Sequence, residues 1–454
     1  MRTIGFLAIS TFLLNSVATV AAVAAEFRSG EDIREYINID IFLATLSGFT
    51  IEYKNYYKVV TNIITGQKYC LVGWNQVRPE DCPQDSSFNV PIQEFNFDTD
   101  SYHAIPYIEL LGIQTKLSGS VSIQNITSPC ILDGSQNTKI TSPQMVLSLR
   151  SVGLPYVSFS GNDDSLGPLE KASWLLYLGV FFDMESEALL AYNQIANNYN
   201  CHKRNLQRVN KNKIVSWTSF DPIKKTYTIN GDNYYTQLSS DAGAVLRSPN
   251  RLQDNTYNTA VFTELHALAL QLQGAEFIFD ISDTSVDYNT WYKSGGVYFT
   301  PNNSFAHVPA IADSQVYSTH GLVNSNGISD WTQRSAARPD LALLDIVELL
   351  YPTFAVPDAS EFPVWFTRFD KKEQRLINES YGNCSSIITS AAKETACTIG
   401  TDGGSHTRTL TSGGKAGVSV GVIIFVFLAA GLGLWLFRRY RRNKRHNFYR
   451  MNEL

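Results

Sequence analysis

The chain has 454 residues, 44% hydrophobic and 17% charged, which is enough apolar material for a sizeable core and enough length for two domains with accessories. The formal net charge of −5 conceals an asymmetry: Arg2 contributes +1 and the last 17 residues +6 (seven basic side chains against Glu453), leaving −12 on everything between. So acidic a body argues against nucleic acid or anionic lipid as its ligand.

Arg2 precedes an apolar run from Ile4 to Val23, and Ala22, Ala24 and Ala25 offer a cleavage site before Glu26, so residues 1–25 read as a secretory signal peptide. Beyond it, Tyr57–Val60 and Gln67–Val72 are predicted to be extended. Tyr102–Leu111 is predicted as a helix ending at Gly112, Gln144–Val152 as another ending at Gly153, and Pro155–Ser160 as a strand. A helix over Glu170–Val180 leads to the clearest element, a helix over residues 185–210. There Ala188, Tyr192, Ile195 and Tyr199 recur at helical spacing, Asp183 offers a cap, and acids at the start and Lys203, Arg204 and Arg208 at the end suit the dipole. Lys213–Thr218 then reads as a strand, Val261–Gln273 as a helix, Glu276–Ile281 and Val316–Ser318 as strands, and Pro339–Leu350 as a helix stopped by Pro352. Strands alternating with helices imply mainly parallel sheets covered on both faces, and the break at the long helix implies two of them. The expected fold is therefore α/β: two Rossmann-like lobes, residues 26–184 and 211–397, joined by one long helix.

Residues 398–415 are rich in Gly, Ser and Thr and read as a stalk. Residues 416–437 carry no charge and are long enough to cross ~30 Å of hydrocarbon at ~1.5 Å per residue. The basic tail, residues 438–454, then places itself in the cytoplasm and the body outside. A lipid-anchor signal would end in its apolar tail, without a basic block after it. The expectation is a plasma-membrane protein, single-pass type I, with an extracellular ectodomain; Gly417 and Gly421 in the span have the spacing of helix dimers.

Cys70, Cys82, Cys130, Cys201, Cys384 and Cys397 all precede the span, an even number in an oxidising compartment, so disulfides are expected. Proximity suggests Cys70–Cys82 and Cys384–Cys397, leaving Cys130–Cys201, although six cysteines permit 15 connectivities. Asn125, Asn302, Asn378 and Asn383 lie in N-x-[ST] sequons and are candidate glycosylation sites.

The segment His307–Pro352, HVPAIADSQVYSTHGLVNSNGISDWTQRSAARPDLALLDIVELLYP, resembles the closing segment of the periplasmic binding proteins that capture iron chelates, haem and cobalamin, whose two lobes share one rigid helix. Earlier pieces are similar to that family in the same order: AIPYIELLGIQTKLSGS, SVGLPYVSFSGNDDSLGPLEKASWLLYLGVFFDMESEALLAYNQIANNY, KIVSWTSF, SSDAGAVLRSP and VFTELHALALQLQGAEFIFDIS, spanning Ala104 to Pro352. The resemblance implies a cell-surface solute-binding protein with no enzymatic activity and no intrinsic cofactor. Its ligand would be a small metal chelate: a ferric chelate, haem or cobalamin. A surface transporter or co-receptor would be its partner. Bacterial members present one carboxylate on each lobe to their permease; Glu264 matches the second, whereas Ser120–Ile131 contains no acid for the first.

Ligands of open α/β sheets sit beyond the carboxyl ends of the strands. The residues placed there are Trp74, Ser160, Asn162, Trp217, Phe220, Ser282, Tyr317 and His320, with Trp331 and Arg334 in the loop beyond. Aromatic walls with a few donors suit a flat or amphipathic ligand, Arg334 suits its carboxylates or phenolates, and His320 or Tyr317 suits haem iron. Large aromatics near strand ends also commonly finish a core. His103, His202, His266 and His307 show no metal-ligand spacing. GxGxxG, GxxxxGK[ST] and HExxH are absent, and GxSxG occurs only as Gly417–Gly421 inside the apolar predicted span, which leaves nucleotide and hydrolase chemistry without its usual machinery. Acids in pairs exist, such as Asp163-Asp164, but adjacent side chains in a Gly/Asn-rich turn point apart, and a cleft loop or solvated turn explains them better than a glycosidase pair. The alternative to ligand capture is a surface interaction or adhesion protein that uses the same scaffold without a small ligand.

Overall fold

The computed structural model describes residues 48–377 except 55, 74–75, 99, 119–124, 135–142, 150–152, 154, 207–212, 248–258, 283–306, 353–362, 370 and 372. The predicted signal peptide, stalk, membrane span and basic tail lie outside the described residues, as do Trp74, Asn302, Asn378, Asn383, Cys384 and Cys397. Among the described residues no helix is long and apolar enough to cross a membrane.

The first strands, β1 (Phe49–Tyr53), β2 (Tyr57–Asn62), β3 (Gln67–Gly73) and β4 (Ser87–Val90), form one sheet in that order. β1–β3 are an antiparallel meander, and β4 joins β3 in parallel. The disulfide Cys70–Cys82 staples β3 to the loop before β4. Cys130 and Cys201 are also disulfide-bonded. A three-stranded parallel sheet follows, β5 (Phe95–Phe97), β6 (Met145–Ser148) and β7 (Tyr156–Ser158).

Between β5 and β6 lie α1 (Ile105–Leu111), led in by a 3₁₀ turn over Tyr102–Ala104, and α2 (Pro129–Gly134). Gly112 ends α1 with φ +69°, a left-handed conformation that glycine adopts without a Cβ clash. After β7 come α3 (Pro168–Gly179) and α4 (Glu185–Leu206).

The remaining elements are β8 (Lys213–Asp221), β9 (Thr226–Asn230), α5 (Asn233–Asp241), β10 (Ala244–Leu246), β11 (Ala260–Phe262), α6 (Leu265–Leu272), β12 (Phe277–Asp280), α7 (Pro309–Ala312), β13 (Val316–Ser318), β14 (Leu322–Val323), α8 (Trp331–Arg334), α9 (Pro339–Leu350), β15 (Thr367–Arg368) and β16 (Arg375–Leu376). Seven of the strands make one sheet, ordered β11-β9-β8-β12-β13-β15, with β10 alongside β8. β10, β8, β12 and β13 run parallel, while β9, β11 and β15 are antiparallel additions. β14 and β16 pair separately. Gly321, before β14, is needed for close approach, since a Cβ there would lie 2.6 Å from the Trp365 carbonyl oxygen.

The period-two alternation of strand side chains divides the core of the large sheet. Val215, Trp217, Phe277 and Phe279 pack with Leu343, Leu344 and Val347 of α9, whereas Ile278 and Val316 pack on the opposite side with Leu268, Leu272 and Ile311. A third cluster gathers the sheets before α4 with α1 and α3. α4, about 33 Å long for its 22 residues, feeds two of these cores. Ala188, Tyr192 and Ile195 enter the first, and Tyr199 and Leu206 enter the α9 side of the large sheet. The architecture is mixed α/β, as expected from the alternation of elements.

Three expectations need correction. Residues Met145–Ser148 are a strand, not part of a helix over 144–152: as the middle strand of a parallel sheet β6 is apolar on both faces, and a short continuous apolar run lacks the period that separates strand from helix. The predicted helix from Val261 starts only at Leu265, because Ala260–Phe262 pairs with β9 and Glu264 is still extended. The sheets are also less parallel than predicted, because β1–β3 and the β8–β9 hairpin connect through short turns.

Candidate functional site

β8 is longer than its neighbours need. Its first residues pair with β10, while Trp217–Asp221 run on as a hairpin with β9, turned through Pro222–Lys225 with Lys225 at φ +54°. This hairpin overhang, Ser219 to Asn230, forms one wall of a cavity of about 730 Å³. Tyr102, His103, Asn162 and Lys171 come from the elements before α4, and Tyr234, Tyr235, Trp331, Thr332 and Ser335 from those after it. The volume lies in the range of small-molecule sites, roughly 300–1,000 Å³, and the lining is mixed, with Phe220, Tyr235 and Trp331 standing among polar side chains such as Asn162, Lys171 and Asn230.

Hydrogen bonds between the two parts of the chain fix the back of the cavity. His103 Nδ1 donates to the Thr332 carbonyl at 3.2 Å, and Tyr234 Oη donates to the Ser335 carbonyl at 2.9 Å. Since a carbonyl only accepts, His103 carries its proton on Nδ1; burial holds the ring neutral, its pKa lowered to about 4. Trp331 stacks on Trp217, ring centroids 5.8 Å apart, and the Trp217 indole N–H donates to Ser239 Oγ at 2.9 Å.

Beside the cavity runs a seam of buried charge. Arg334 Nη1 donates to Glu109 Oε2 at 2.5 Å and Nε to Asp330 Oδ2 at 3.1 Å. Thr127 Oγ1 donates to Asp330 Oδ1 at 2.8 Å, Trp365 Nε1 to Asp330 Oδ2 at 2.9 Å, and Ser128 Oγ to Glu109. Asn324 Nδ2 donates to the Ile126 carbonyl at 2.8 Å. Removing any one charge would strand the others in a low-dielectric interior, so the seam is stiff.

Lys171 stands on α3 with only 5% of its surface exposed. Its Nζ donates to the Asn162 carbonyl at 3.1 Å and to Asn162 Oδ1 at 3.3 Å, and it lies 5.2 Å from the centroid of the Tyr234 ring. Burial lowers its pKa to about 8, against opposing fields from Asp164, Asp232 and Asp163.

The structure brings three of the sequence-predicted ligand residues, Asn162, Phe220 and Trp331, to the cavity. Trp217 is fully buried behind Trp331, and Arg334 lies in the charged seam. Ser160 is buried and accepts from Asn62 Nδ2 at 3.0 Å, while Ser282 Oγ accepts from the Phe220 backbone N–H at 2.9 Å. Tyr317 and His320 are buried at and just past the end of β13, Tyr317 Oη donating to Gln315 and His320 Nδ1 lying 2.9 Å from Ser318 Oγ. Glu264 is exposed at the start of α6, and Asn125 is exposed before α2. Among the described residues no cluster of His, Cys, Asp or Glu is arranged to hold a metal ion.

Sequence reasoning did not select Tyr102, His103, Lys171, Tyr234, Tyr235 or the β8–β9 hairpin. Two signals for them were present: Asp221-Pro222 is a turn dipeptide, and Lys171 is the lone cation in the apolar helix PLEKASWLLYLG.

No protein-family model matches the sequence, and no curated protein matches it. Among solved structures, the chain is similar to a periplasmic binding protein from Veillonella parvula, with 11% identity, 67% of this chain and 98% of that one covered, and a TM-score of 0.45. It is similar to Helicobacter pylori CeuE, solved as a nickel–histidine complex, with 12% identity, 59% and 85% covered, and a TM-score of 0.42. A protein of an ABC-type Fe3+-hydroxamate transport system from Saccharomonospora viridis gives 11% identity, 58% and 95% covered, and a TM-score of 0.42.

Proposed function

We propose that the chain is a non-enzymatic, cell-surface solute-binding protein that captures a small ligand, a ferric chelate or related metal complex, for uptake or sensing. The observation that carries this reading is the cavity of about 730 Å³ walled by residues from both sides of α4. A chelate's flat or apolar surface would lie against Trp331, Tyr235 and Phe220, and its polar rim would meet Asn162, Ser219 and Thr332. Two lobes, residues 26–184 and 211–397, would face each other across this cavity, braced by the helix between them. Closure on the ligand would be limited, because the Glu109–Arg334–Asp330 seam already ties the two parts together. The resemblance of His307–Pro352 to the chelate-binding family supports the same class of ligand. The signal peptide, stalk and span would hold the body outside the plasma membrane, where a transporter or co-receptor would receive the ligand.

A scaffold used only for adhesion has no need of a cavity this large. The test is titration of the full chain with ferric chelates, haem and cobalamin, followed by absorbance and native mass spectrometry. Saturable one-to-one binding of at least one of them is expected; binding of none would defeat the reading.

A further inference from the structure

Among the described residues, Lys58, Arg334, Arg338 and Lys171 are the Lys and Arg side chains buried to nine-tenths or more. Three of them have carboxylate partners at contact distance: Lys58 has Asp183 and Glu185, Arg334 has Glu109 and Asp330, and Arg338 has Asp340 at 2.8 Å. Lys171 differs. Among the described residues no carboxylate oxygen lies within 4 Å of its Nζ, and its two hydrogen bonds both go to Asn162. An ammonium has three donors, so one N–H is left over, at a side chain that lines the cavity. Withdrawing a cation from water without a counter-ion is costly. The Tyr234 ring face recovers part of that cost.

We infer that the missing counter-ion is supplied by the ligand: the cavity takes an organic anion whose carboxylate or phenolate oxygen pairs with Lys171 while its flat body lies against Trp331 and Tyr235. This inference rests on the capture reading and adds to it the charge of the ligand and the residue that reads it. The other charged side chains lining the cavity, Asp221 and Lys224 at the hairpin turn, pair with each other at 3.1 Å. His103 on the same side is neutral above about pH 4, and Asp164, whose carboxyl is pushed upward by burial and by Asp232, acts on the amine from beyond contact distance. The remaining groups that act on the amine are Asp163, Asp232 and the Tyr234 ring. Pairing with an anion raises the amine's pKa above its unliganded value of about 8. Affinity is therefore greatest below that pH and falls as pH rises through it.

The test uses the full chain with 2-naphthoate as probe and the neutral 2-naphthamide as its isostere. Trace acetylation read by mass spectrometry, from about pH 6 to about pH 10, follows the Lys171 amine directly. Naphthoate is expected to suppress acetylation of Lys171 about tenfold and naphthamide less than about twofold, with protection fading above about pH 8. In Lys171→Met, naphthoate binding is expected to fall about tenfold to a hundredfold, and Lys171→Arg to recover most of it. Equal protection by acid and amide, protection by neither at about millimolar concentration, or unchanged binding to Lys171→Met overturns the inference. Naphthoate protection with no metal complex bound would remove the chelate reading and leave the anion site. Chelate binding without naphthoate protection would do the reverse.

Discussion

The charged seam and the cavity lie side by side, each built by residues from both sides of α4, and they handle a buried cation in opposite ways. In the seam Arg334 meets two carboxylates, which also accept from the neutral donors Thr127, Ser128 and Trp365. In the cavity Lys171 meets a carbonyl, an amide oxygen and an aromatic face. A cation whose contact partners are internal holds the fold together, whereas one with carboxylates only beyond contact distance, beside an open volume, has room for a contact partner that arrives from outside. Asp345 offers a third arrangement. Its carboxyl accepts the backbone N–H groups of Val364 and Trp365 at 2.6 and 2.8 Å, and burial keeps it protonated up to about pH 7.

The largest effect is expected from breaking the seam. Arg334→Met leaves Glu109 and Asp330 buried without their cation, and chemical denaturation of the variant should show a loss of roughly 3–5 kcal/mol. The same truncation in the cavity, Lys171→Met, removes a buried cation that has no carboxylate at contact distance, so in the unliganded protein it should cost clearly less than Arg334→Met in the same denaturation measurement. Equal losses in the two variants would erase the distinction drawn between them. Asp345 sharpens it through pH. Its folded pKa of about 7 stands above the ordinary 3.8, so the folded state holds the extra proton between those values. The resulting stability is full below about pH 4 and lost as pH rises through about 7. Asp345→Asn should remove up to about 1.4 kcal/mol per pH unit of that slope in denaturation curves. The smallest effect belongs to the hairpin tip. Ile223 lines the cavity but is 92% exposed, so Ile223→Ser should change ligand affinity less than about threefold in a binding titration.

Much of the frame was legible in the sequence, because α4 and α9 carry their apolar residues at helical spacing and β13 is bounded by turn residues. β6 was misread because a strand buried on both faces has no alternation to show. The site was less legible. Asn162, Phe220 and Trp331 reach the cavity, as strand-end reasoning places them. Trp217 and Arg334 lie one layer behind it, since sequence distance from a strand end does not say which face a side chain takes. His103 and Lys171 arrive from a 3₁₀ turn and a helix. Their placement depends on tertiary contacts with Thr332 and Asn162 that no local pattern encodes.

The most direct test of ligand capture fills the cavity without disturbing either core. Thr228 lines it from β9 and belongs to no core cluster, so Thr228→Trp places an indole in the ligand's volume. Ferric chelates, haem and cobalamin titrated against the wild-type chain and this variant should give saturable binding of at least one compound to the wild type and at least about a hundredfold weaker binding to the variant. Equal binding to both chains would put the ligand elsewhere, and binding to neither would contradict the account.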